Sequence, residues 1–209
     1  MKVLVIGSTG RAGRLALKRL LDGGHEVTAF ARNPTALAHE GRGLRVFQGD
    51  ARDPLALDRA MEGQEAVFCA IGPRSLGKTD LQEKSLRNVV ASMQKHGVKR
   101  IVNLSAWGCG DSRTKAPFFF RALILPLMLK GIFEDKERGE AHLLSSSLEF
   151  VNVRPGRLLA SPARGGVKSS LDPAGLKSSM TYEDLAAFMV RQLTENQWLR
   201  RSPLVGYGR

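Results

Sequence analysis

The chain has 209 residues, 43% of them hydrophobic and 25% charged, and a formal net charge of +12. That length can bury a full core in one domain, and the composition is globular rather than disordered. Cys69 and Cys109 are too few for a disulfide framework, and no Cys/His cluster has zinc-ligand spacing. The expected setting is therefore a reducing one, the cytoplasm, with no structural metal. The sign of the charge admits nucleic acid, an anionic membrane or a polyanionic small molecule as partner.

The first apolar run, VLVI at residues 3–6, is too short for the core of a signal peptide and is closed by Gly7. Its β-branched content predicts a strand buried on both faces. Leu15, Leu17, Leu20 and Leu21 then recur at roughly helical spacing until DGG at 22–24 stops them. Residues 27–30 and 44–47 read as the second and third strands. Asp53 and Pro54 suit the N-cap and first turn of a helix carrying Leu55, Leu57 and Met61. Residues 66–70 form a fourth strand. A long helix is predicted from about Asp80 to Gly97, with Asp80 and Glu83 as a capping box and Gly97 as the C-terminal glycine. Residues 101–104 and 150–153 are the fifth and sixth strands. This alternation predicts an α/β fold, a Rossmann-type doubly wound parallel sheet in a single domain over residues 1–209.

Within residues 107–133 the stretch APFFFRALILPLMLKGIF, 116–133, stands apart. It is too short, and too interrupted by Arg121, Pro126 and Lys130, for an ordinary membrane span. It reads as amphipathic helix kinked at Pro126 and packed on the domain. An apolar lid over a ligand pocket and an interfacial membrane contact are the alternatives.

Between the first strand and the first helix lies GSTGRAG, with Gly7, Gly10 and Gly13 in GxxGxxG spacing. The first glycine permits a tight turn, the second lets backbone approach a pyrophosphate, and the third lets helix and sheet pack closely. The helix N-terminus offers free N–H groups and the positive end of its dipole. This strand–turn–helix context points to dinucleotide binding. An NAD-specific site wants a carboxylate at the end of the second strand, yet no acid stands between Val27 and Glu40. Arg32 stands there, and Arg11 lies in the glycine loop. Either the two arginines grip a 2′-phosphate, which favours NADPH over NADH, or they are solvated surface charges. Asp50, ending the third strand, suits either the adenine amino group or a helix N-cap.

Together these residues resemble the short-chain dehydrogenase/reductase superfamily in its atypical NAD(P)H-binding, NmrA-like branch, and within it the biliverdin-IXβ reductase/flavin reductase family. The resemblance is carried by GSTGRAG at 7–13, FAR at 30–32, GD at 49–50, EKSLRNVVASMQKHGVKRIVNLSAW at 83–107 and VRPGRL at 153–158. It implies that Gly7, Thr9, Gly10, Arg11 and Ala12 contact the cofactor phosphates, with Gly13 closing the motif. It further implies Arg32 on the 2′-phosphate, Asp50 and Ala51 on the adenine, and Ile71, Gly72 and Arg74 along the ribose and pyrophosphate. Ser105 would lie beside the nicotinamide, and Pro155, Gly156 and Arg157 would form the loop over that ring. Two departures stand out. The family's reductases often carry a histidine where this chain has Gly156 and Arg157, and residues 107–133 match poorly.

Ordinary short-chain dehydrogenases use Tyr-x-x-x-Lys, in which lysine lowers the tyrosine pKa. Tyr182 is followed four residues on by Ala186, and Tyr207 lies two residues from the last. The pair is missing from the sequence. A reductase of conjugated acceptors needs mainly to align donor and acceptor. Ser105 could orient the ring or a substrate oxygen, or merely bond strand backbone. His142 is either a proton donor or a packing residue, and the cysteines read as small core residues. The leading expectation is an NADPH-dependent reductase of a planar conjugated small molecule, such as a flavin, quinone or tetrapyrrole. The alternative is a non-catalytic NADP(H) sensor. No nucleic-acid partner is expected, because basic residues are spread along the chain without a recognised motif.

Overall fold

The computed structural model describes residues 1–37, 43–73 and 76–208. Strand β1 (Lys2–Ile6) points Val3 and Val5 to one face of the sheet and Leu4 and Ile6 to the other, and all four are buried. The two-residue period of a strand, with apolar residues at every position, requires cover on both sides. Helix α1 (Arg11–Asp22) supplies it on one face through Ala16, Leu17 and Leu20, together with α5 (Tyr182–Arg191) through Leu185, Phe188 and Met189. On the other face lie α2 (Pro54–Met61), α3 (Leu81–His96) and α4 (Lys130–Leu144), which contribute Leu57, Leu86, Val89, Met93 and Leu143.

Among the described residues the sheet has eight strands. Beside β1 they are β2 (Glu26–Ala31), β3 (Leu44–Gln48), β4 (Ala66–Cys69), β5 (Arg100–Leu104), β6 (Glu149–Pro155), β8 (Val167–Ser170) and β10 (Leu204–Tyr207). Their order is β3-β2-β1-β4-β5-β6-β10-β8, parallel except for β8 at the edge. A separate parallel pair joins β7 (Arg157–Leu159) to β9 (Ser179–Thr181). The chain moves outward from β1 to β2 and β3, then returns to place β4 on the other side. That reversal makes the carboxyl ends of β1 and β4 the switch point where open α/β sheets bind ligands.

The doubly wound parallel sheet is as expected, and so are several helix signals. Asp53 accepts from the Leu55 N–H at 2.9 Å ahead of Pro54, and Gly97 ends α3 in the left-handed region at φ 68. The capping box at Asp80 and Glu83 does not form. Asp80 pairs with Lys84, and Glu83 with Arg138. The buried carboxylate of Asp135, reaching over from α4, instead accepts from the N–H groups of Gln82 and Glu83 at 2.9 and 3.1 Å. A tertiary partner has displaced the local one, because a buried carboxylate must find donors and the first turn of α3 offers them.

The apolar stretch is helical and packed on the domain, but its centre is a π-helix, Phe120–Leu129, running directly into α4. Pro126 lies inside it. Proline has no N–H and its ring crowds the carbonyl four residues back, so a wider turn accommodates it better than an α turn does. Leu125 and Phe133 bury against Cys109. The elements after β6 carry no clear periodic signal. They are fixed by contacts distant in sequence. Thr181 caps α5, and the Tyr207 hydroxyl donates to Asp184 at 2.5 Å, which ties β10 to that helix. Burial alone would raise the Asp184 carboxyl. Donation from the Arg164 N–H, Tyr207 and Thr181 holds it below its ordinary value.

Candidate dinucleotide site

At the switch point the glycine loop and the carboxyl ends of β1 to β5 enclose a crevice of about 380 Å³. Gly7 turns the chain in the left-handed region at φ +84, and a Cβ there would lie 2.5 Å from the Ala70 carbonyl oxygen. A Cβ on Gly13 would fall 2.1 Å from the Gly7 oxygen, so that glycine serves helix–loop packing. Gly10 is the N-cap of α1. It brings no side-chain cap, and no acidic residue stands in the first turn. The helix thus presents uncapped N–H groups and the positive end of its dipole to the crevice.

The two arginines in question flank this opening, and both are exposed. The Arg11 guanidinium lies 5.7 Å from the centre of the Tyr182 ring. Asp50 is gripped by Arg52, with side-chain bonds of 3.1 and 2.7 Å and the Arg52 N–H at 2.9 Å. That grip holds the Asp50 carboxyl down at about 2, against the cost of partial burial. Asp50 is therefore not the N-cap of α2; Asp53 is. Asn88, on α3, braces the same loop by donating to the carbonyls of Ala51 and Arg52. Gln82 does likewise for the next loop, donating to the Ile71 carbonyl at 2.7 Å.

Gly7, Thr9, Gly10, Arg11, Ala12, Arg32, Asp50, Ala51, Ile71 and Gly72 all line the crevice. Arg74 lies outside the described residues. Ser105 sits just beyond crevice-lining Leu104, buried, with its hydroxyl donated to Glu140. Pro155 is buried at the end of β6, Gly156 presses against the Ser178 carbonyl, and the Arg157 N–H bonds that same oxygen at 2.8 Å. These three residues belong to the crossing of β6 toward β9 rather than to the crevice wall. Sequence reasoning missed Leu81, Leu158 and Tyr182, which wall the crevice from far along the chain. The only signal for them was Leu158, in the VRPGRL block.

It also missed a buried ionic cluster behind Ser105. Arg154, 1% exposed, donates to Glu140, 2% exposed, at 2.6 Å, and also pairs with Asp111. Burial works against the Arg154 charge, but Glu140 and Asp111 together more than offset that and raise its pKa. Lys136 is buried close by, its Nζ 3.4 Å from the Leu104 carbonyl, and desolvation lowers its pKa. Burial pushes the Cys69 thiol up to about 11 and the Cys109 thiol up to about 12. Both are buried core residues held as thiols, and the thiol is the unreactive form.

The profile of a family described as NAD(P)H-binding matches residues 7–196, nearly the whole chain and all of the crevice. The chain belongs to this NAD(P)H-binding family. Over 103 residues the chain is 40% identical to a (4-alkanoyl-5-oxo-2,5-dihydrofuran-3-yl)methyl phosphate reductase of Streptomyces griseus, a match covering 49% of this chain and 34% of that protein. The chain thus spans about a third of that relative's length. Among solved structures it resembles ChuY, an anaerobillin reductase from Escherichia coli O157:H7, with TM-score 0.83, 23% identity, and 99% and 97% of the two chains covered. A short-chain dehydrogenase/reductase from Veillonella parvula in complex with NADP gives TM-score 0.83 at 15% identity, over 98% and 94%. At these identities the structural likeness is one of fold. Among the described residues no helix is long and apolar enough to cross a membrane.

Proposed function

We propose that this protein is an NADPH-dependent reductase of a planar, conjugated small molecule. The observation that carries the reading is the pairing of an uncapped helix N-terminus with Arg11 and Arg32 at the rim of one crevice. Two anionic groups on one ligand would satisfy both features. A pyrophosphate would suit the N–H groups of Arg11 and Ala12 beside Gly7, Thr9 and Gly10, and a 2′-phosphate would suit Arg32, with the Arg11 side chain lining the same crevice. Asp50, kept ionised by Arg52, would accept from the adenine amino group, and Ala51 lines the crevice next to it. Ile71, Gly72 and Arg74 would follow the sugar. When bound, NADPH supplies a hydride from its nicotinamide ring.

The chain's own part is to bind, orient and exclude water. Leu81, Leu104, Leu158 and Tyr182 supply apolar wall beside the phosphate end. Such a wall favours a flat acceptor and keeps water from competing. Ser105, with its hydroxyl committed to Glu140, acts as a positioning residue at the end of β5, and the 155–157 segment as the support behind it. The Streptomyces relative is named for reducing a dihydrofuranone whose ring double bond is conjugated with carbonyls, and ChuY for reducing anaerobillin. Both names fit an electron-poor conjugated acceptor. A reducing cytoplasmic setting completes the reading.

The test is NADPH oxidation followed at the nicotinamide absorbance against a panel of flavins, quinones and linear tetrapyrroles. Turnover with at least one of them is expected. NADPH binding with no turnover on the whole panel overturns the reductase reading and leaves a redox sensor, which would show partner affinity that changes between NADPH and NADP⁺.

A further inference from the structure

We propose that the face formed by residues 118–128 docks this protein on an anionic lipid surface. Phe118 and Leu127 are 75% and 73% exposed, and Phe119, Leu123 and Met128 are exposed beside them. Large apolar side chains so placed on one short stretch mark a site of contact rather than ordinary surface scatter. The opposite side of the same stretch is already used, because Leu125 and Phe120 pack inward against Cys109 and Phe133. The outward residues therefore have no place in the core.

The charge around the face selects the partner. Residues 112–133 contain Arg113, Lys115, Arg121 and Lys130 and not one Asp or Glu. Arg121 stands in the middle of the apolar run and donates to the Thr114 carbonyl rather than to a carboxylate. Lys130 has its neighbouring carboxylate, Glu134, 4.0 Å away. Arg113 and Lys115 are loosely paired, with Glu137 at 3.7 Å and Asp111 at 3.9 Å, and Asp111 is shared with Arg154, so Arg121 is the cation of the face that has no carboxylate partner among the described residues. Aromatic and aliphatic tips among cations are the composition of an interfacial segment, in which side chains enter the headgroup boundary and basic groups pair with lipid phosphates. The net charge of +12 adds long-range attraction of the same sign. A second copy fits worse. A twofold contact would set these cations against their own images, whereas anionic headgroups neutralise them.

The experiment uses the full chain and sedimentation with vesicles of phosphatidylcholine alone or mixed with phosphatidylglycerol. Binding to the mixed vesicles is expected, at least about tenfold tighter than to phosphatidylcholine. A triple variant, Phe118→Ser with Phe119→Ser and Leu127→Ser, keeps the net charge and touches only exposed positions. It should bind the mixed vesicles at least about tenfold more weakly while keeping its thermal midpoint and NADPH affinity. Three outcomes overturn the proposal: no binding to mixed vesicles; binding that the triple variant leaves unchanged, which makes the net charge alone responsible; or a concentration-dependent dimer that the triple variant dissolves while vesicles are ignored, which gives the face to a second copy.

Discussion

Arg11 and Arg32 stand exposed at the crevice beyond β1 and β2, whereas Arg154, only a few strands away, is buried between Glu140 and Asp111. The same guanidinium group is used in two ways. In the crevice neither cation forms an ion pair among the described residues; Asp50 feels the charge of Arg32 but is held by Arg52, and the helix N-terminus beside the cations adds further positive potential. Behind β5 and β6 the cation is matched inside the protein, and a hydroxyl and a lysine are drawn into the same cluster. An unmatched cationic rim has a use only when an anion arrives. A matched buried pair has finished its task on folding. Substitutions should therefore separate along this line, with stability lost in one region and ligand affinity lost in the other.

The largest effect is expected at Glu140. Glu140→Ala leaves Arg154 and Lys136 buried with reduced compensation, which should cost about 3–5 kcal/mol and lower the thermal midpoint by roughly 10 °C. Thermal unfolding of the apo protein measures this. Adding Arg154→Met to Glu140→Met should recover most of the loss, because the pair can be replaced together more cheaply than it can be broken. A single Glu140→Ala variant as stable as the parent would show that the cluster is not matched as described.

Arg32→Ala tests the other half. Removing one charge-assisted contact should raise the NADPH dissociation constant by roughly 10- to 100-fold. NADH affinity should stay within about twofold, and stability should shift by less than about 0.5 kcal/mol. Titration with both nucleotides gives the readout. An equal loss for NADH would move the 2′-phosphate contact away from Arg32. Gly13→Ala should blur the division, because its Cβ would meet the Gly7 oxygen at 2.1 Å. The expected cost is about 1–3 kcal/mol of stability from overpacking, with weakened binding of both nucleotides as the loop shifts.

The two regions also differ in how far they could be read from sequence. The crevice is built from local signals: a strand of four apolar residues, glycines at fixed spacing, and polar residues at strand ends. Each is written within a few residues of its neighbours, so Gly7, Arg11, Arg32 and Asp50 could be brought together from topology alone. The cluster joins Ser105, Glu140 and Arg154 from three elements, and a lone glutamate on a helix gives no sign that it is buried. The cap of α3 failed for the same reason, since Asp135 comes from another helix. Tyr182 was legible only as a tyrosine without a lysine partner. Its place against Arg11 depends on a chain excursion that carries no periodic pattern. Of the net charge of +12, unassigned at the outset, Arg11 and Arg32 fall to the rim and Arg121 and Lys130 to the apolar face, while the buried Arg154 is cancelled by its own carboxylates.

The smallest predicted effect lies within the crevice itself and sharpens where the boundary between the two behaviours runs. Asp50 and Arg52 form a matched pair at the open site, partly exposed rather than sunk. The folded carboxyl titrates at about 2 while the unfolded chain keeps the ordinary 3.8, so between those values the unfolded state binds more protons. The stabilisation is complete above the unfolded value and disappears as pH falls through the folded one. Solvent screening limits it to about 1 kcal/mol or less. Asp58, Asp80, Asp111 and Asp184 are lowered too, so acid unfolding of the parent protein alone does not isolate the pair. The difference between parent and Asp50→Asn in urea unfolding does. It should be present at neutral pH and vanish only below about pH 2, with Arg52→Gln giving a similar curve. A difference that persists in acid would mean that Asp50 supports the loop through shape and neutral hydrogen bonds. The exposed pair would then resemble the buried cluster more than the rim.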